Sequence, residues 1–405
     1  MMRWLSLIYL LVLTGCSTAE SGSSLFTAAE LRAIMAREWV SDSMPIDNTN
    51  AYAQNTAAQV FGEILFNEPG LSSNGEVACK TCHKPQLGFA DSKPLSEGLG
   101  RTRRHAPHLF NVGFQRWFYW DGRIDTLWGQ ALSPIEDDLE MGNDRLSVVR
   151  FIAAHAEYGP RYQHIFGAMP AQIAGIEVES AKPVPDDEND PRHVNWLTLS
   201  ENEQRAVNEV FVNLGKAIAA YEMTLIAGRA PFDDFVNTLN SPKEHAEQSL
   251  SDSALRGLKL FMSTANCHLC HTGTLFSDRE FHNLGFTDDD IGRTDGVLLA
   301  QTAEFSSASA YSDNPDGPKS THLNALISGH ITDGAFKTPS LRNVALSPPY
   351  MHDGRFGTLR EVVQFYNEMP PEIGPGDREL FLVPLGLNEQ DIDDLVRFLE
   401  SLTAY

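Results

Sequence analysis

Apolar residues recur along this chain at three- and four-residue spacings, the period of a helix with one buried face. Ala57, Val60, Phe61, Ile64 and Leu65 form one such stripe, and Leu255, Leu258 and Phe261 form another. Each predicts an amphipathic helix leading into a cysteine-containing motif. Val207, Val210, Phe211, Leu214 and Ile218 predict a longer helix over about 203–227. A further helix is expected after Thr358, because Thr358 and Glu361 stand at capping-box spacing. The apolar run Trp4 to Val12 follows Arg3 and is too short to span a bilayer. The expected fold is mainly α, with short loops and few short strands.

The punctuation between these stripes repeats. Pro107-His108-Leu109-Phe110-Asn111-Val112 is matched by Pro339-Ser340-Leu341-Arg342-Asn343-Val344. Asp121-Gly122-Arg123 with Thr126-Leu127 is matched by Asp353-Gly354-Arg355 with Thr358-Leu359, and the step from Pro107 to Asp121 equals that from Pro339 to Asp353. Two related domains from an internal duplication follow, residues 51–225 and 226–405. Residues 181–192, rich in Pro and Asp, read as a surface linker between the halves. Residues 302–319, rich in Ser, Asp, Asn and Gly, read as a mobile surface loop.

Four of the five cysteines form Cys79-Lys80-Thr81-Cys82-His83 and Cys267-His268-Leu269-Cys270-His271, one C-x-x-C-H motif in each half. Two thiols about one helical turn apart can each add to a vinyl group of a haem. The adjacent histidine then lies under the iron. A bare C-x-x-C could hold a disulfide or zinc instead. Two copies, each followed by His, favour two covalently bound c-type haems with His83 and His271 as proximal ligands. Both halves are then cytochrome c-like.

The fifth cysteine ends Leu13-Thr14-Gly15-Cys16, which resembles a bacterial lipoprotein box. Residues 1–15 are expected to be a signal peptide, Cys16 the lipidated residue, and 16–50 a polar tether with an N-terminal segment. The expected location is a membrane surface facing the periplasm; Ser17 after the cysteine resembles the outer-membrane sorting pattern. A formal net charge of −23 over 405 residues argues against nucleic acid as a partner. It suits a basic protein partner, and serves equally as a solubility device.

The duplication exposes an asymmetry. Tyr366 stands thirteen residues beyond Asp353, and the same step from Asp121 reaches Pro134. If this position faces the iron, the second haem gains a sixth ligand and the first keeps an open face, where an open ferric haem binds peroxide. Tyr366 is equally compatible with ordinary packing. Peroxide chemistry also needs a group that moves a proton between the two oxygens. Glu140 and Gln130 are within sequence reach, although each alone also reads as a surface residue. Trp120, beside the Asp-Gly-Arg turn, is either core packing or an indole able to carry an oxidising equivalent.

Taken together, the two C-x-x-C-H motifs, Phe118-Tyr119-Trp120-Asp121-Gly122-Arg123, Gln130, Pro134 through Glu140-Met141-Gly142, Lys337-Thr338-Pro339-Ser340-Leu341-Arg342-Asn343-Val344 and Pro349-Tyr350-Met351-His352-Asp353-Gly354 resemble the bacterial di-haem cytochrome c peroxidase family. The resemblance extends to its tyrosine-ligated, MauG-like branch and to relatives in methanobactin-type gene clusters that modify a tryptophan of a copper-binding partner. It covers nearly everything after about Ala51. It implies that Trp120 relays charge between the haems, that Gln130 and Glu140 form the distal pair at the peroxide site, and that Pro134 lies over that haem. It also implies an axial Tyr366 where ordinary peroxidases carry methionine. Hydrogen peroxide is then one substrate. An exported protein, modified at Trp or Tyr, or a small cytochrome or cupredoxin is the other. Two departures stand out. The region where the family carries a distal histidine reads Glu97-Gly98-Leu99-Gly100, and the family's interdomain calcium would meet His105, a poor ligand for a hard cation, in place of asparagine, with Ser347 and Pro349 matching the carbonyl donors.

Overall fold

Fourteen α-helices and one two-stranded antiparallel sheet supply the regular structure of the computed structural model, which describes residues 25–39, 44–240, 249–286 and 289–404. Helices α1 (Ala28–Met35), α2 (Thr56–Phe66), α3 (Cys79–Cys82), α4 (Leu127–Glu136), α5 (Arg145–Ala154), α6 (Tyr158–Phe166), α7 (Pro191–Thr198) and α8 (Glu201–Glu222) come first. They are followed by α9 (Pro231–Asn240), α10 (Asp252–Met262), α11 (Arg293–Thr302), α12 (Pro318–Asn324), α13 (Leu359–Glu368) and α14 (Glu389–Glu400). Strand β1 (Phe281–Asn283) pairs with β2 (Ala335–Lys337), Phe281 opposite Lys337. The mainly helical expectation holds.

The two halves are built on the same crossing. In the first, α2 packs on α8; in the second, α10 packs on α14. Each crossing is closed by a glycine. A Cβ on Gly62 would lie 1.9 Å from the Ala217 carbonyl oxygen, and one on Gly257 would lie 1.9 Å from that of Asp394. The helices can approach this closely only because neither residue carries a side chain. Beside the glycines, Phe61, Leu65 and Phe66 in α2 and Leu258 and Phe261 in α10 are buried. Each contributes about 1.5–3 kcal/mol relative to exposure. The buried stripe of α2 is Ala58, Phe61, Gly62, Leu65 and Phe66, so Val60, expected on that face, points outward.

The repeated Asn has a visible task in both halves. Asn111 and Asn343 adopt left-handed backbone at φ 61° and 60°, a conformation that Asn tolerates better than most residues. The Asn111 N–H donates to the Leu225 carbonyl, and its side-chain oxygen accepts from the Ala227 N–H. Asn343 does the same with Leu402 and Ala404. Each thus pins the chain leaving the last helix of its half. The helix expected over about 203–227 runs from Glu201, capped by Ser200, to Glu222.

Two hydrophobic cores result. One contains α2, α4, α5 and α8; the other contains α9, α10, α13 and α14. Phe26 and Ile34 lie in the second core, so the described part of the N-terminal segment is docked; the polar tether expected before it lies outside the described residues. The segment 181–192 is not a junction between cores: Ala181 is buried, its N–H donates to Asp144, and α8 beyond it belongs to the first core. The stretch 302–319 is packed, contrary to the expected mobile loop. Ser307 is buried, Phe305 and Tyr311 pack on the first core, Glu304 pairs with buried Arg145, and Asp313 pairs with buried Lys216. The signal segment 1–15 and the lipidation position Cys16 lie outside the described residues. Among the described residues no helix is long and apolar enough to cross a membrane.

Candidate active site

Both C-x-x-C-H motifs open onto deep cavities, and the cavities share a wall. The first is lined by Cys82, His83, Tyr119, Arg123, Gln130, Pro134 and Glu140. The second is lined by Cys267, Cys270, His271, Met351, Tyr366 and Met369. Trp120, His105, His108, Lys337, Pro339 and His352 face both. The residues singled out from the sequence therefore come together, and Pro134 and Tyr366 occupy corresponding cavity-lining places.

The motifs themselves suit haem attachment. The ring Nδ1 of His83 lies 2.8 Å from the Phe89 carbonyl, and that of His271 lies 2.8 Å from the Phe276 carbonyl. Each carbonyl accepts a hydrogen bond from Nδ1–H, which leaves Nε2 as the nitrogen able to ligate a metal. Burial depresses both imidazoles toward the neutral form that a ligand needs. The four cysteines form no disulfide. Burial pushes Cys82 up to about 11 and Cys267 up to about 12, and Cys79 higher still. Such thiols are unlike the depressed thiolates of reactive cysteine. They fit a thioether in an apolar cradle. Phe66 packs 6.4 Å from the His83 ring, and Phe261, its counterpart next to α10's close-packed glycine, lines the second cavity.

The other side of the first cavity is polar. Glu140 follows α4, and burial raises its carboxyl to about 7; the charge of Asp137 adds to this and Arg123 opposes it. Its backbone is held by the loop 97–101. The Leu99 N–H donates to the Glu140 carbonyl and the Gly100 N–H to that of Leu139. A Cβ on Gly98 would stand 2.3 Å from the Glu140 oxygen. The loop in which the resemblance would place a distal histidine is thus stitched to the Glu140 segment. Tyr366, on α13, is half-buried and lines the second cavity, and desolvation there raises its phenol well above the ordinary range. The Thr358–Glu361 capping box that starts α13 forms as the spacing predicts.

The wall shows why Trp120 sits between the sites. Phe118 bridges Ile124, and Tyr350 bridges Phe356, the same turn in each half. The next residue in each, Tyr119 and Met351, has positive φ, 65° and 73°, and faces its own cavity. Trp120 and His352 then point into the shared wall, with rings 6.4 Å apart. Trp120 Nε1 donates to the His105 carbonyl at 2.8 Å, which fixes the indole. His352 stacks on Phe336 at 3.8 Å. Arg104 braces the turn, pairing with Asp121 at 2.6 Å and with Asp290 at 2.8 Å. Tyr119, Arg123, Lys337 and His352 carry no role in the sequence reading, although they lie inside motifs it singles out.

Of the residues expected to hold calcium, His105 does not fit it. His105 would bring a nitrogen, and its Nδ1 already bonds the Lys93 carbonyl at 2.9 Å. One other group, Cys270, Asp278 and His282, has metal-like spacing among the described residues. There both ring nitrogens of His282 meet carboxylates, of Asp278 and Glu379, at 2.8 Å. The hydrogen bond to Asp278, foremost, pushes this imidazole up to about 11, as in an ion-pair cluster.

A pair of haem-type cysteine motifs on two helical cores, with a tryptophan between, defines a di-haem peroxidase architecture. The family model described as di-haem cytochrome c peroxidase matches residues 56–241. The methylamine utilization protein MauG of Methylorubrum extorquens is 30% identical over 397 residues, covering 96% of this chain and 90% of its own. The cytochrome c551 peroxidase of Pseudomonas aeruginosa is 26% identical over 345 residues, covering 85% of this chain and 78% of its own. The crystal structure of the diheme peroxidase BthA from Burkholderia thailandensis has a TM-score of 0.62 at 22% identity, covering 91% of this chain and 93% of that one. That of a MauG-like protein associated with microbial copper homeostasis has a TM-score of 0.59 at 24% identity, covering 90% and 96%. The chain belongs to the di-haem cytochrome c peroxidase and MauG family, and is an oxidoreductase of that class.

Proposed function

We propose that this protein takes hydrogen peroxide at the first site and passes oxidising equivalents through the shared wall to the second. From there it oxidises a residue, Trp or Tyr, on an exported partner protein. The observation that carries this reading is the contrast between corresponding positions, Pro134 with no ligating atom and Tyr366 with a phenol. Bound haem would supply the iron at which peroxide is split and the store for the oxidising equivalents. Cys79, Cys82 and His83 would hold one haem; Cys267, Cys270, His271 and Tyr366 would hold the other. Glu140, with a carboxyl near 7, can accept a proton from one peroxide oxygen and return it to the other. Gln130 orients the same oxygens, and Trp120, held by His105, is the relay. A phenolate at the second site favours oxidised iron, which suits storage of oxidising equivalents over delivery of electrons. We place the chain on a periplasmic membrane surface through lipid on Cys16.

A second reading is peroxide scavenging fed by a small cytochrome or cupredoxin. The likeness to a cytochrome c551 peroxidase favours it. One experiment separates the two. Peroxide is added to the fully oxidised protein without donor, and a candidate partner follows. The first reading expects the oxidising equivalents to persist and then appear as a mass change on the partner. Turnover seen only with a reduced small cytochrome, after prior half-reduction, refutes it in favour of the second.

A further inference from the structure

Lys337 is the odd member of the shared wall. It lies on β2 opposite Phe281, and its N–H donates to the Trp120 carbonyl at 2.8 Å. The side chain is half-buried and lines both cavities. Among the described residues its ammonium has no hydrogen-bond or ion-pair partner. The one acid whose charge it feels is Asp278, and that carboxylate already bonds His282 at 2.8 Å. Burial pulls the ammonium down to about 8, which leaves it a cation at pH 7.

The rest of the wall does not balance that charge. His105, His108 and His352 also face both cavities, and burial lowers all three toward the neutral form, the last two to about 4. Carboxylates that line the cavities are engaged elsewhere. Asp121 and Asp290 pair with Arg104, Asp353 pairs with Arg355, and Glu379 bonds His282. A desolvated cation without a counter-charge is costly, and a ligand that brings an anion relieves the cost. Haem brings such anions in the carboxylates of its propionates.

We propose that Lys337 is an anchor shared by the two sites: its ammonium pairs with a propionate carboxylate of bound haem at the wall, and its single charge biases both irons toward the reduced state. This rests on the reading that both C-x-x-C-H motifs carry haem. A charge placed between the sites moves both potentials in one direction. It therefore shifts the pair without deciding which iron holds an oxidising equivalent.

A redox titration of the haem-loaded protein at pH 7, with the two haems resolved by magnetic resonance, is the test. Lys337→Met keeps the length of the side chain and removes the charge; Lys337→Arg keeps the charge. We expect Lys337→Met to shift both reduction equilibria about tenfold toward the oxidised form, about 59 mV for a one-electron couple, and Lys337→Arg to stay close to the parent. If Lys337→Met leaves either potential unmoved, or Lys337→Arg shifts both as far, the assignment is overturned. Haem stoichiometry is measured on the same samples. A parent with fewer than two haems removes the haem reading and this one with it, whereas a parent with two haems and unmoved potentials in Lys337→Met overturns only the role of Lys337. Loss of a haem from Lys337→Met but not from Lys337→Arg supports the anchor; loss from both marks a packing role and overturns it.

Discussion

Replacing Glu140 by Gln should slow the peroxide reaction while making the protein more stable in alkali. The carboxyl is held near 7, against an ordinary value of 4.5, chiefly because it is buried. A proton bound more tightly in the folded state than in the unfolded one stabilises the fold at low pH. That stability is lost as pH rises from about 4.5 to about 7, and the loss is complete above. Its full size is about 3 kcal/mol, and water reaching the cavity reduces it to roughly 1–2 kcal/mol. Gln carries no charge to bury. The variant should therefore match the parent at pH 4 and exceed it by roughly 1–2 kcal/mol at pH 8, a rise in melting temperature of about 1–2 °C for a chain of 405 residues. Activity runs the other way. As a base, Glu140 must be ionised, so the parent's rate with peroxide should climb with pH through about 7. The variant should be slower by about 10²–10⁴ and lack that step. Stopped-flow absorption of the haem band at a series of pH values measures the rate, and thermal melts at pH 4 and 8 measure stability. A variant that keeps the parent's rate and pH profile, or that is less stable at pH 8, refutes the reasoning.

Tyr366→Phe should convert the second haem from a six-coordinate to a five-coordinate spectrum in magnetic resonance, leaving the first unchanged, with stability altered by no more than about 1 kcal/mol. Gly257→Ala, whose new methyl would meet the Asp394 carbonyl oxygen at 1.9 Å, should cost about 3 kcal/mol or more in denaturant melts. Gly175→Ala, with open space around it, should stay within about 0.5 kcal/mol. Asp233→Ala strands Arg342, its partner at 2.7 Å with both side chains fully buried, and should cost about 3–5 kcal/mol. Cys16→Ala should move the protein from the membrane fraction to the soluble periplasmic fraction, measured by fractionation and immunoblot.

Much of the site was legible because its chemistry is written in fixed spacings. The two C-x-x-C-H motifs, the equal steps to Asp121 and Asp353, and the pairing of Pro134 with Tyr366 all reappear as cavity-lining positions. What was missed depended on direction rather than spacing. The stripe of α2 is rotated from Val60 to Ala58 and Gly62 because the crossing with α8 demands a glycine at the contact. Tyr119 was passed over because only its positive φ turns the ring into the pocket, and no pattern of residue types reports φ for a tyrosine. The 302–319 stretch read as a loop from its Ser, Asp and Gly content; burial of its Ser307 and the ion pairs of Glu304 and Asp313 are long-range events.

That stretch has a consequence for how the protein comes apart. It belongs in sequence to the second half, yet Arg145 and Lys216 in the heart of the first depend on its carboxylates. Arg145 also spreads over Phe305 at 4.9 Å. Severed from its sister, the N-terminal unit would confront a stranded interior Lys216, an Arg145 left with Glu136 and Asn208 alone, and a bare aromatic groove. The two pieces are mutually dependent, so melting should run as one concerted transition, and neither piece should serve alone as a mono-haem module.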